Sequence, residues 1–327
     1  MPRIAITGAL GHIGSSLVHS LKPGEFDDVL LIDNLSSERY CSLFGLPAGV
    51  PFRFVEADVC TADLDRMFDG ADCVVHLAAI TNAAGSFEIQ DQVERVNFEG
   101  TQRVAEACVR TGSRLLFLST TSVYGTQAAT VDEACAIEDL RPQSPYAASK
   151  LRAEQTLERM AADGELRYFV GRFGTIYGTS IGMRFHTAIN KFCWQACIGQ
   201  PLTVWRTAID QVRPYLDLSD AVRAIKFVLA SDRFDNRVYN VLTANASVRD
   251  IVDLIRVEIG DVKVQYVDNQ IMNQLSYHVS AERFVRKGFT FEGSLSNGIA
   301  NTVRLFQGVS QTRLGVGINR AQLEEEA

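Results

Sequence analysis

Short apolar runs, each followed by a stretch of helical periodicity, organise the first half of the 327-residue chain. Arg3–Thr7 reads as a strand, and comparable runs recur at residues 29–32, 52–55, 73–77, 115–118 and 168–173. Between them Ile13, Leu17, Val18 and Leu21 fall on one helical face, and residues 91–110 and 146–162 read as long helices. Strands that are apolar throughout, rather than alternating, belong to a parallel sheet covered on both faces, and intervening helices supply the cover. The expected class is therefore α/β, a doubly wound parallel sheet. Past residue 173 the alternation gives way to shorter elements without a Pro/Gly/Ser-rich linker. A first domain of residues 1–173 is expected, interleaved with a smaller C-terminal α/β domain made mainly of residues 174–327, with the site in the cleft between them. The polar end, residues 311–327, is expected to fray.

The turn after the first run, Thr7-Gly8-Ala9-Leu10-Gly11-His12-Ile13-Gly14, narrows the sheet to a Rossmann type. Glycines there let the backbone turn sharply, approach a pyrophosphate and pack helix on strand, while the helix N-terminus offers N–H donors and a positive dipole end. Asp33 follows Gly14 by 19 positions and ends the second run. A carboxylate at that place accepts both ribose hydroxyl protons and repels the extra phosphate of NADP. Asn34 adjoins it and no arginine follows until Arg39, so the expected cofactor is NAD.

With 46% hydrophobic residues the chain can bury a large core without staples. A net charge of -7 and the lack of any Lys/Arg run exclude a nucleic-acid partner. The seven cysteines are odd in number and scattered, and Cys193 and Cys197 have no His/Cys pair at zinc-site spacing. They read as reduced, buried fillers, and no metal is expected. No apolar run is long enough to span a bilayer and no targeting segment precedes the first strand. A soluble, cytoplasmic protein without a membrane partner is the expectation.

Ser144-Pro145-Tyr146-Ala147-Ala148-Ser149-Lys150 opens the second long helix, and positions i and i+4 share a helix face. The positive charge of Lys150 is expected to favour the Tyr146 phenolate and bring its pKa toward neutrality, as a general base for a sugar hydroxyl requires. Alone, Tyr-x-x-x-Lys also describes an ordinary solvated helix surface. Its company tips the balance: the run 115–118 delivers Ser119-Thr120-Thr121-Ser122-Val123-Tyr124-Gly125 to the carboxyl edge of the sheet. Open α/β sheets bind ligands there, and hydroxyls at that edge can bridge a substrate and the phenol.

On these motifs the chain resembles the extended short-chain dehydrogenases/reductases, in particular the NAD-dependent epimerase/dehydratase group acting on nucleotide sugars. The likeness adds Asp58 in Glu56-Ala57-Asp58-Val59, the stretch His76-Leu77-Ala78-Ala79, Asn97 in Val96-Asn97-Phe98-Glu99-Gly100-Thr101, and Val123-Tyr124-Gly125. It implies Tyr146 as acid/base, Lys150 also as partner of the nicotinamide ribose, Thr120 as the catalytic hydroxyl, and a nucleotide-diphosphate sugar as the ligand. It places NAD on Gly8, Gly11, His12, Ile13, Gly14, Asp33 and Asn34, with Asp58 at the adenine and Val59, Leu77, Ala78 and Ala79 among its contacts. Thr81 and Asn82 either meet the cofactor phosphates or the sugar, or are plain loop residues. A homodimer packed through the two long helices is also implied, with Val93, Val96, Val104, Ala107 and Cys108 as its candidate apolar surface.

Residues 201–206 and 211–217 resemble the family's nucleotide-holding strand and turn. Arg213 stands where the family grips the diphosphate, and Trp205 either flanks the base or fills the core. Thr121, Ser122, Thr175, Arg184 and Thr187 complete the expected substrate contacts. Thr175 replaces the family's usual Asn, and residues 276–278 lack an arginine that often makes a second diphosphate contact. Arg184 is expected to compensate, whereas His186 is either structural or a ligand contact. A 4,6-dehydratase of this family carries Asp-Glu directly after the catalytic Thr, where this chain has Thr121-Ser122. That favours 4-epimerisation through a transient 4-keto sugar over dehydration, with keto-sugar reduction next. A non-catalytic NAD sensor would have no use for Thr120, Tyr146, Lys150 and Arg213 together.

Overall fold

The apolar runs of the first half close into strands β1 (Arg3–Thr7), β2 (Asp28–Asp33), β3 (Phe52–Glu56), β4 (Cys73–His76), β5 (Arg114–Thr120) and β6 (Tyr168–Phe173). The later part adds β7 (Thr175–Tyr177), β8 (Leu202–Trp205), β9 (Val212–Asp217), β10 (Arg237–Val241), β11 (Ala244–Ser247) and β12 (Val264–Val267). This computed structural model describes residues 2–125, 127, 130–268, 276–306 and 308–309. The segment 311–327, expected to fray, lies outside them.

The main sheet runs β10-β6-β5-β4-β1-β2-β3, and every neighbouring pair in it is parallel. It is a Rossmann-type doubly wound sheet, and its seventh strand, β10, returns from the second half of the sequence. β4, β5 and β6 are almost wholly buried, whereas β3, at the edge, keeps exposed side chains. The chain winds outward in both directions from β1 and β4, which opens a crevice at their carboxyl ends. A second core, including Ile189, Phe192, Leu202, Val204, Ile251 and Ile299, gathers around β8 and the helices Ala188–Cys197, Val248–Ile259 and Leu295–Leu305. It is accompanied by the small sheets β11-β9-β7 and β12-β8.

The single helix expected over residues 91–110 is broken by a π-helical turn, Glu94–Glu99, between Gln90–Val93 and Gly100–Thr111. Within it the Asn97 side chain is fully buried, accepting from the Ile80 amide at 2.8 Å and donating to the Ile80 carbonyl at 2.9 Å. The wider turn thus feeds an amide to a loop whose backbone would otherwise lack partners. Thr101 Oγ1 donates to the Asn97 carbonyl at 2.7 Å and so accepts from His76 Nε2 at 3.0 Å. His76 Nδ1 then accepts from Thr7 Oγ1 at 2.7 Å. Burial, aided by Lys150, lowers the His76 pKa to about 3, so this chain of hydrogen bonds between β1, β4 and the helix is neutral. Val93, Val104, Ala107 and Cys108 all turn inward to the core and offer no outer surface. The filler reading suits Cys73, Cys108 and Cys193, which are buried, but Cys41 is exposed because it lies in the open loop after β2.

Helix Pro145–Ala162 starts cleanly: Ser144 accepts from the Ala147 amide at 3.1 Å and Pro145 occupies the first turn. Two turns on, Glu154 is buried against Arg172 of β6, with contacts of 2.7 and 3.1 Å, and also accepts from Ser119 of β5. The Arg172 guanidinium lies 4.9 Å from the Tyr124 ring, whose hydroxyl donates to Asn240 at 2.9 Å. Breaking one side of a buried pair strands the other charge and costs about 3–5 kcal/mol. Glu154→Ala should therefore lose stability of that order in urea unfolding, while a Glu154→Leu/Arg172→Met double variant should recover much of it. Equal losses in both would show that the charges do not need one another.

Candidate active site

Two glycines make the cofactor side of the crevice possible. Gly8 has φ +66°, and a Cβ there would come within 2.5 Å of the Ala78 amide nitrogen, so any side chain would force the turn away from the loop after β4. Gly11, the N-cap of helix His12–His19, has no side chain to cap it, which leaves N–H donors of the first turn for a ligand. Asp33, ending β2, is oriented by the amides of Leu10 and Leu35, each donating to its carboxylate at 3.0 Å. Asp58, just past β3, accepts from the Cys60 amide at 2.8 Å. A donor-lined turn beside a fixed carboxylate fits a dinucleotide with free ribose hydroxyls.

The cleft is lined by Gly8, Gly11, His12, Ile13, Gly14, Leu77, Ala79, Thr81, Thr120, Ser122, Tyr146 and Lys150 from the first half of the chain, and by Thr175, Arg184, Thr187, Trp205 and Arg213 from the second. Asp33, Asn34, Asp58, Val59, Ala78 and Thr121 lie outside this lining. Asp33 and Asp58 sit at the ends of neighbouring strands on the same sheet edge, Asn34 is exposed in the following loop, and Val59 is buried in the core. The side chain of Arg213 donates to Gln211 Oε1 at 3.2 Å.

Thr120 lies near enough to the Tyr146 hydroxyl to favour its phenolate, and its Oγ1 accepts from the Ser122 amide at 3.1 Å. Because that amide occupies an acceptor site, the Thr120 proton remains available to the phenol or to a bound oxygen. The electrostatics differ from the sequence expectation. Burial pushes the Tyr146 phenol above its ordinary value, opposed by the Arg184 charge and the Thr120 hydroxyl. Lys150 is itself buried, with Nζ 4.6 Å from the centre of the Phe117 ring, and burial lowers its pKa to about 7 despite Glu154. The ammonium assigned to lowering the phenol is thus depleted by the same desolvation that raises the phenol, and Arg184 is the cation that acts on Tyr146 instead.

Arg184 stands in a group of like character. Burial lowers it to about 10, with Arg39 adding to the effect. His12, almost wholly buried, falls to about 3, chiefly through burial and then through Arg184, whereas His186 lines the cleft but is exposed. His12 Nδ1 is 2.7 Å from Ser180 Oγ, which ties the glycine turn to the segment leading to Arg184. No sequence motif points to Arg39 or Tyr277 as part of the cleft's surroundings. Tyr277 lines the cleft, is 3% exposed, and lies near the hydroxyls of Thr121 and Ser122. The available signal was the missing arginine at residues 276–278, where an aromatic hydroxyl stands in its place.

Comparisons with known proteins agree with this geometry. The model of the NAD dependent epimerase/dehydratase family matches residues 4–241. The dTDP-glucose 4,6-dehydratase of Streptomyces griseus is 31% identical over 312 residues, covering 92% of each chain. The chain spans about half the length, 47% and 46%, of two trifunctional dehydratase/epimerase/reductase relatives from Arabidopsis thaliana that are 29% and 28% identical over 93% and 92% of it. Among solved structures, MoeE5 in complex with UDP-glucuronic acid and NAD is 29% identical with a TM-score of 0.81, covering 92% of this chain and 98% of that one. The UDP-glucose 4-epimerase of Thermus thermophilus in complex with NAD is 26% identical with a TM-score of 0.82, covering 94% and 99%. A family match across most of the chain, over a crevice shaped for a dinucleotide, makes the protein a member of the NAD-dependent epimerase/dehydratase family, with NAD as its cofactor.

Proposed function

We propose that the protein inverts C4 of a nucleotide-linked sugar by transient oxidation to the 4-keto sugar and return of the hydride to the opposite face. The observation that carries this reading is the chemistry the cleft lacks: among the described residues lining it there is no Asp or Glu. Loss of water from the sugar needs an added acid/base pair, and the positions after Thr120 hold the hydroxyl residues Thr121 and Ser122. The remaining groups suit redox chemistry at one carbon.

NAD supplies the hydride acceptor when bound. Tyr146 receives the proton of the sugar hydroxyl and later gives it back, with Thr120 holding the oxygen between them. Lys150 is assigned to the nicotinamide ribose as a hydrogen-bond donor, a reading supported by its place in the cleft beside Tyr146. Arg213 is the group for the diphosphate, and Trp205 offers a flat apolar face to the base. Thr175, which also lines the cleft, is assigned to the sugar.

Tyr146→Phe should leave folding and NAD affinity unchanged while lowering turnover about 10²- to 10⁴-fold, followed by NMR with UDP- and dTDP-hexoses and catalytic NAD. The wild type should yield a 4-epimer without net NADH. A 6-deoxy-4-keto product would replace this reading with dehydration, and stoichiometric use of NADH would replace it with reduction. A separate expectation concerns pH. Lys150 falls from 10.5 to about 7 on folding, so between those values the unfolded chain holds the additional proton and stability rises with pH. The penalty is full below about 7 and fades as pH rises. In cofactor-free thermal melts, the wild type should therefore gain on Lys150→Met from pH 6.5 to 9, and parallel curves would contradict the burial cost assigned to Lys150.

A further inference from the structure

Lys150, Arg184 and Arg213 bring three cationic side chains to the cleft, and the proposed chemistry accounts for Lys150 and Arg213. Arg184 is left over. Its Nε is buried and makes no hydrogen bond, and the same is true of Thr187 Oγ1, three residues on. No carboxylate lines the described cleft to answer the guanidinium. The segment that carries it is held firmly: the buried Asn190 side chain donates to the carbonyls of Arg184 at 3.0 Å and Gly178 at 3.3 Å, and accepts from the Gly178 amide at 3.1 Å. Arg184 therefore does not reach the cleft by chance motion of a surface loop. A desolvated guanidinium with an idle donor is costly unless a partner brings negative charge.

We propose that Arg184, together with Thr187 and Thr175, binds a carboxylate on the sugar itself, so that the substrate is a nucleoside-diphosphate hexuronate rather than a neutral hexose. This rests on the nucleotide-sugar reading of the same cleft. The other anions have places of their own: the cofactor pyrophosphate at the amides of the glycine turn, the substrate diphosphate at Arg213. Arg184 lines the same cleft as Tyr146 and favours its phenolate, while its influence also reaches His12 and Arg39. A planar guanidinium matches a carboxylate in shape and charge, and two hydroxyls beside it supply further donors. His12, a neighbour that burial and Arg184 keep neutral near pH 7, does not compete as a cation.

The test is isothermal titration of the NAD-loaded protein. UDP and dTDP establish which base binds, and the glucuronate and glucose forms of that nucleotide are then compared. The wild type should bind the glucuronate form roughly ten- to a hundredfold more tightly, the range of a hydrogen bond to a charged group. Arg184→Met should abolish the preference with NAD and nucleoside-diphosphate affinity unchanged, and Arg184→Lys should keep part of it. Circular dichroism establishes that each variant is folded, and the comparison of wild-type ligands holds even where one is not. Equal affinity of the wild type for both sugars, or a preference that survives in Arg184→Met, overturns the proposal. So does an equal fall in NAD affinity, which would assign Arg184 to the cofactor. Binding of no nucleotide or nucleotide sugar would overturn the underlying reading as well. Tight binding of the glucuronate form without inversion at C4 would remove the epimerase reaction and leave the substrate class standing.

Discussion

Glu154 and Arg172 meet in a layer almost closed to water, where helix Pro145–Ala162 packs on β5 and β6. Much of their mutual attraction is spent on desolvation, and the lasting effect of such a pair is positional. Glu154 lies one helical step beyond Lys150 and two beyond Tyr146, so fixing its carboxylate fixes the phase of the face that carries both. The same carboxylate accepts from Ser119, the residue before Thr120. The meeting of Tyr146 with Thr120 is thus set from behind by a charge pair that touches no ligand.

The cofactor wall depends on a different constraint, neutral instead of charged. Gly8 must pass the backbone at Ala78 with no room for a side chain. The loop that it passes is held by the chain from Thr7 through His76 and Thr101 to Asn97, and from Asn97 back to Ile80. The π-helical turn is what lets Asn97 reach that loop without ending the helix. A neutral His76 suits this place, since a charged imidazole beside buried Lys150 would set two desolvated cations against each other.

Between these walls, burial works against the charges that acid/base chemistry needs. It raises Tyr146, lowers Lys150 to about 7 and lowers Arg184 to about 10. A cleft lined by cations and hydroxyls, with no carboxylate of its own among the described residues, is incomplete until anionic ligands enter. The positive nicotinamide of bound NAD would favour the phenolate, whereas an anion seated near Tyr146 would oppose it.

The order of strands and helices, the glycine turn with Asp33, and the placing of Tyr146 and Lys150 on one helix face were legible in the sequence because each depends on spacing within one element or between neighbouring ones. Helical and strand periods carry that information locally. The π turn at Asn97 was not legible, since it answers a need of the loop after β4. The inward turn of Val93, Val104, Ala107 and Cys108 was equally hidden, because an apolar stripe does not say which neighbour covers it. Tyr277 reaches Thr121 and Ser122, and Arg39 approaches Arg184, only because distant segments converge over the sheet edge. The direction of the Tyr146 shift was misjudged for the same reason: spacing puts a lysine near a phenol, but whether that lysine keeps its charge is decided by how much water the surrounding packing removes.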